Sequence, residues 1–236
     1  MKKGLLMHVV LASLVLTGCD SDPTGSGPSA NVRFFNAATG MSGNGGFTAN
    51  GDFASGSALA FGQSACTTVD AGSTVFGFGA AGSGGLSGNA LATLTNQTLI
   101  DGGNITVAAA GAAPTPTLFL LDNNFSGILG ANQAAVRFVN LAPGTEANPV
   151  SFVVYVGAIE TGISPYAINI AVGAPTEFTT VTSGSNPFAV LKIPGHDLVV
   201  TGSAGTFNLQ PGTINTLAIV PNGADGFQLI NLPRCT

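Results

Sequence analysis

Asn31–Gly40 reads NVRFFNAATG and Ala135–Gly144 reads AVRFVNLAPG, so that Val32, Arg33, Phe34 and Asn36 return as Val136, Arg137, Phe138 and Asn140. Two further blocks follow in the same order. Cys66–Gly72 (CTTVDAG) is answered by Phe178–Gly184 (FTTVTSG). Leu99-Ile100-Asp101-Gly102, with Thr106 and Ala108, is answered by Leu209-Gln210-Pro211-Gly212, with Thr216 and Ala218. The displacements are 104, 112 and 110 positions, which describes one duplicated unit with loop insertions. Two units suit tandem domains, whereas a solenoid generally needs three or more stacked repeats.

Inside each unit, short runs of β-branched and aromatic residues are separated by Gly, Pro, Asn and Asp. The first unit predicts strands near 31–37, 46–50, 57–62, 65–69, 73–79, 90–95, 104–110 and 116–121. The second predicts them near 135–141, 149–156, 166–171, 176–182, 187–192, 197–201, 205–209, 213–220 and 226–231. Short strands at this spacing argue for an immunoglobulin-like β-sandwich. Alternation agrees: Val150, Phe152, Val154 and Val156 share one face of a strand, and Ser151, Val153 and Tyr155 share the other. Helices are poorly supported by a chain with 34 Gly and 13 Pro.

Ahead of the repeats, Lys2 and Lys3 precede an apolar run from Gly4 to Leu16 that ends in Leu16-Thr17-Gly18-Cys19. A basic start, a run shorter than the roughly 20 residues of a spanning helix, and small residues before a cysteine read as a lipoprotein signal. Cys19 is then the lipidated first residue of the mature chain. Acyl chains contribute ~0.8 kcal/mol per buried methylene, so two or three of them anchor a protein firmly without a spanning helix. Asp20–Ser29 (DSDPTGSGPS) has no apolar residue and reads as a flexible tether of up to ~35 Å. The expected organisation is a signal over 1–18, lipidated Cys19 and tether over 19–29, and β-sandwich domains over 30–125 and 134–236. The expected location is the periplasmic side of a bacterial membrane or the cell surface, held through the N-terminal lipid.

Loss of Lys2 and Lys3 takes the net charge from −5 to −7 and leaves Arg33, Arg137, Lys192 and Arg234 as the basic residues against 11 acids. No basic stripe remains to displace phosphate counterions, which excludes nucleic acid as a partner. With 7% charged but 45% hydrophobic residues, the chain lacks the profile of disorder and is expected to fold.

The VRF-[FV]-N opening, the glycine-ended Val153-Val154-Tyr155-Val156-Gly157, the Ala60-Phe61-Gly62 segment and the Leu-x-x-Gly-x-x-x-Thr segments at Leu99 and Leu209 together resemble the bacterial family called domain of unknown function 4397. As two copies, the resemblance spans nearly all of the mature chain. It implies a β-sandwich-like extracytoplasmic module, often lipid-anchored, with no established activity. Members commonly carry His where this chain has Asn36 and Asn140.

Once Cys19 is acylated, Cys66 and Cys235 form an even pair in an oxidising compartment and are expected to bridge the first domain to the tail of the second. Arg33, Asn36, Arg137 and Asn140 are the candidates for anion or polar contact, since a guanidinium can bind an oxyanion bidentately. The commoner fate of such an arginine is to meet a nearby acid or to lay its stem on the sheet, and that is the expectation here. His196 beside Asp197 is not a triad, and neither a Gly-x-Ser-x-Gly elbow nor a His-Glu-x-x-His motif occurs. A His/Cys zinc site is not expected with a single mature histidine, and Asp122-Asn123-Asn124 and Asn50-Gly51-Asp52 read as turns before calcium loops. Gly77–Gly88 lacks the lysine of a phosphate loop and reads as a hairpin loop.

These readings predict a non-catalytic envelope protein without cofactor or metal, serving as a binding, adhesion or structural module for an envelope protein or polysaccharide. Two alternatives stand beside it. One is a secreted hydrolase working through an acidic pair, with Asp101 and Asp122 the first suspects. The other is a surface protein that assembles through edge strands poorly guarded by lysine.

Overall fold

The computed structural model describes residues 27–142, 151–156, 165–193, 197–200, 205–222 and 226–236. The signal, Cys19, most of the tether, Gly157 and His196 lie outside the described residues.

Strand formation follows the β-branched and aromatic runs. The first half carries β1 (Ser29–Thr39), β2 (Gly45–Ala49), β3 (Asp52–Phe53), β4 (Ser64–Asp70), β5 (Gly72–Gly82), β6 (Gly85–Leu86), β7 (Ala92–Leu99), β8 (Asn104–Ala112) and β9 (Thr117–Asp122). The second carries β10 (Gln133–Asn140), β11 (Ser151–Val156), β12 (Thr179–Thr182), β13 (Gly184–Ile193), β14 (Asp197–Val200), β15 (Thr206–Leu209), β16 (Ile214–Asn222) and β17 (Gly226–Pro233). The architecture is all-β and sandwich-like.

One sheet of the first half runs β4-β1-β8-β9, and its counterpart in the second runs β12-β10-β16-β17. Each has a parallel centre: Arg33 lies opposite Thr106 in β1/β8, and Arg137 opposite Thr216 in β10/β16. The remaining strands form a second sheet in each half, β3-β2-β5-β6 with β7 on β5, and β11-β13-β14 with β15 on β13. Parallel pairing of each half's first and penultimate strands departs from the all-antiparallel sheets of an immunoglobulin sandwich.

Three hydrophobic cores follow from the alternation along these strands. Val32, Phe34, Val107 and Ala109 pack against Phe47, Phe76 and Phe78 in the first half. Val136, Phe138, Leu217 and Ile219 pack against Phe152, Phe188 and Val190 in the second. The opposite faces do not meet solvent. Phe35, Ala37, Ala108, Ala110 and Leu121 press against Val139, Leu141, Ala218, Val220 and Leu232, with Phe119 and Ile230 at the margin. The four sheets therefore stack as four layers, and this seam is where the two halves meet. Strands buried on both faces need apolar residues at successive positions, which is why β8 reads Ile105-Thr106-Val107-Ala108-Ala109-Ala110 without a polar face.

Two expected strands are absent. Segments 57–62 and 166–171 return across the end of their sandwiches with single bridges only, Gly45 to Leu59 and Val154 to Ala167. A buried side-chain amide also donates to a carbonyl of each segment, at Leu59 beside the Gly45 amide that donates there too. Asn36 Nδ2 donates to Leu59 O at 2.8 Å, and Asn140 Nδ2 donates to Ile170 O at 3.2 Å. Their Oδ1 atoms accept from the Ala38 and Ala142 amides at 3.0 and 2.9 Å. Replacing Asn36 by Ala removes both side-chain bonds, although Leu59 O keeps the Gly45 amide at 2.8 Å, and is expected to cost about 1–3 kcal/mol in chemical denaturation.

Gly77–Gly88 is mostly strand: Gly77–Gly82 ends β5, and the hairpin turn into β6 is only two residues long. Asn50-Gly51 is likewise a tight hairpin, both residues at positive φ (52° and 92°), with Asn50 Oδ1 accepting from the Val75 amide at 2.9 Å.

Candidate functional site

The two repeated arginines project from equivalent positions of β1 and β10 toward the seam, and their surroundings differ. Arg137 is 5% exposed. Its Nε donates to Thr216 Oγ1 at 3.0 Å and its Nη2 to Asn123 Oδ1 at 2.8 Å, while Asn123 Nδ2 donates onward to Thr106 Oγ1 at 2.8 Å. Its guanidinium carbon sits 4.5 Å from the centre of the Phe178 ring, a cation–π contact. Burial lowers the Arg137 pKa to about 10 against the opposing pull of Asp122 and Glu177, so it stays charged at neutral pH. Two neutral acceptors, one aromatic face and two nearby acids thus compensate a buried cation.

Arg33 has little of this. Its Nη1 donates to Ser64 Oγ at 2.8 Å, and its buried Nε has no hydrogen-bond partner. Burial lowers its pKa as well, with no acid pulling the other way.

The reason lies in what each half sends across the seam. Beyond β9, the Asn123 amide donates to Asn104 O at 2.8 Å. Beyond β17, the Arg234 amide donates to Ile214 O at 2.8 Å. These are the same position in the two halves. Where Asn123 supplies an acceptor to Arg137, the equivalent position in the second half is Arg234, whose guanidinium can accept nothing. Arg33 and Arg234 instead line a cavity of about 430 Å3, walled by Ile214, Pro233 and the disulfide.

That disulfide joins Cys66, which faces Arg33 across the β1/β4 ladder, to Cys235, with Cα atoms 5.9 Å apart. Asn104 Nδ2 donates to Cys235 O at 2.7 Å and pins the tail further. The arginine pocket therefore has a cross-linked wall.

Other concavities carry less charge. One of about 330 Å3 is bordered by Asn36, Met41, Phe61 and Pro221. Beside it, one of about 390 Å3 shares Met41 and adds Leu91, Ala80 and Pro114. Asp122 lines a smaller one, of about 200 Å3, with Ile100, Leu120 and Asn124. Its Oδ1 accepts from the Asn124 amide at 2.9 Å. Asp101 is outside that lining, and its Oδ1 accepts from the Ser29 amide at 3.0 Å. Each carboxylate thus closes a turn or loop of its own. Among the described residues, no group of three or more His, Cys, Asp or Glu could hold a metal ion.

Arg33 and the cysteine pair were recognisable as candidates from sequence, and Arg234 was not. Its only signal is adjacency to Cys235, which acquires meaning once the bridge and the β1/β4 register bring that end of the chain to Arg33.

Among curated proteins, none matches the chain. Residues 30–150, running from β1 through β10, match the family described as Domain of unknown function (DUF4397). That match covers just over half of the 236 residues, and the chain belongs to the DUF4397 family.

Proposed function

We propose that this is an exported, lipid-anchored, non-catalytic protein of the bacterial envelope, acting as a binding module made of two copies of the family's domain. The observation that carries this reading is the Cys66–Cys235 bridge, because disulfides persist in extracytoplasmic compartments and are rare in the cytosol. Its agreement with the lipoprotein-like Leu16-Thr17-Gly18-Cys19 stretch supports export, and Cys19 supplies the anchor. The shared order of the β4-β1-β8-β9 and β12-β10-β16-β17 sheets supports two copies where the sequence repeats.

The pockets favour binding over catalysis. The cavity of about 430 Å3 holds two arginines with no acidic side chain, and the pair bordered by Met41 has no ionisable lining. A double sandwich cross-linked on one side would stand off the bilayer on its tether and present a fixed surface to an envelope protein or polysaccharide.

Cell fractionation tests the anchor. Wild-type protein is expected in the membrane fraction after a high-salt wash, extractable by detergent, and Cys19→Ala is expected to lose the lipid modification and its acyl mass. Wild-type protein released by salt alone, or a Cys19→Ala variant with unchanged acylation, would contradict the reading.

A further inference from the structure

We propose that the cavity between Arg33 and Arg234 is an oxyanion-binding site, taking a small organic carboxylate or phosphate whose neutral body rests on Ile214, Pro233 and the disulfide. This deepens the reading of the protein as a binding module and is independent of the lipid anchor.

Arg137 shows what this fold provides for an arginine it buries. Where this fold buries an arginine for structure alone, it surrounds the guanidinium with Thr216, Asn123 and the Phe178 ring, and keeps Asp122 and Glu177 near. At the equivalent position of the first half, Arg33 keeps one neutral hydrogen bond and an unpartnered buried Nε. Half-burying a cation and leaving its Nε without an acceptor carries a desolvation cost that Thr216, Asn123 and Phe178 offset at Arg137 and nothing offsets at Arg33. The chain nevertheless places two of the four basic residues beyond its signal on one cavity. Neither arginine forms an ion pair among the described residues; Thr236 also lines the cavity without pairing with them. A bound oxyanion supplies the missing acceptor to Arg33 and an anionic partner to Arg234 together.

Geometry favours the same ligand class. A guanidinium meets carboxylate or phosphate oxygens with paired N–H donors, and two guanidiniums on one concavity can grip a single anionic head. The volume of about 430 Å3 falls in the range of small-molecule sites, which are mostly apolar with a few placed polar groups. Arg33 is held by a strand paired on both edges, and the opposite wall by the disulfide. Little ordering remains to oppose binding.

Calorimetric titration of the oxidised full chain at low salt, with inorganic phosphate in one arm and benzoate in the other, tests the proposal. Saturable binding of at least one probe is expected, weakened roughly 10- to 100-fold by Arg234→Gln and by Arg33→Gln, with Arg33→Lys between them and wild type. Tighter binding of benzoate identifies a carboxylate as the natural head, and tighter binding of phosphate a phosphate ester. Arg234 is exposed and outside the three cores, so Arg234→Gln should keep the wild-type unfolding midpoint, which separates loss of the site from loss of the fold. No saturable binding of either probe would overturn the proposal. So would equal binding by wild type and Arg234→Gln, or heat that chloride reproduces at the same ionic strength.

Discussion

Replacing Cys66 and Cys235 together by Ala is expected to lower the free energy of unfolding by about 5 kcal/mol, the largest effect of any change considered for this chain. The bridge spans 169 positions and joins a strand of the first half to the end of the second. Most of its contribution on the chain-entropy model comes from restraining the unfolded chain, so the reduced protein should also show a steeper denaturant dependence. Native docking should survive. Phe35, Leu121, Leu141, Val220 and Leu232 are each buried in the seam, and burial of one such side chain is worth roughly 1.5–3 kcal/mol. A few of them match the bridge. Denaturant unfolding with and without reductant measures the difference, and coincident curves would show that the cross-link does not restrain the unfolded state.

Gly173→Ala is expected to cost about 2–5 kcal/mol. Gly173 has φ +75°, and a Cβ built there would lie 2.0 Å from Cδ1 and Cε1 of Phe119. The left-handed backbone disfavours an L side chain by about 1–2 kcal/mol, and forcing a methyl against a packed ring adds about 1–3 kcal/mol. Phe119 belongs to β9 of the first half and Gly173 follows β11 of the second, so the clash falls where the halves meet. The other half repeats the contact more gently: Gly62, at φ +78°, would place a Cβ 3.2 Å from Cδ1 of Ile230. The Gly62 and Gly173 amides donate to Asn36 O and Asn140 O at 2.7 and 2.8 Å, which identifies them as equivalent. Phe119→Ile should therefore relieve part of the Gly173→Ala penalty, leaving only the backbone contribution. A double-mutant cycle on the unfolding free energies reads this coupling, and simple additivity would show that Phe119 is not the obstacle.

Much of the fold was legible in the repeated residues. VRFFN and VRFVN lie in β1 and β10, and the Leu-x-x-Gly-x-x-x-Thr blocks lead into β8 and β16, the parallel partners of those strands. The glycine of Ala60-Phe61-Gly62 also had a detectable signal, and the structure supplies its reason in a positive φ beneath the opposite half. The seam was not legible. Apolar residues at successive positions of β8 announce burial on both faces, but which sheet covers the second face is decided by contacts between residues a hundred positions apart. Segments 57–62 and 166–171 have strand-like composition, yet each makes a single bridge and is tied down by the buried side chain of Asn36 or Asn140. The unequal fates of Arg33 and Arg137 were hidden for a similar reason. Both sit in one motif, and the difference comes from the equivalent residues Asn123 and Arg234: Asn123 bonds Arg137, and Arg234 only shares a cavity with Arg33, once the halves dock.

Intact mass of the non-reduced protein extracted from membranes, with a peptide map before and after reduction, tests the central claim most directly. The account predicts a chain lacking residues 1–18, acyl chains on Cys19, and a Cys66–Cys235 linked peptide that separates on reduction. An unmodified Cys19 would contradict the anchor, and free thiols at Cys66 and Cys235 would contradict the cross-linked envelope module built upon it.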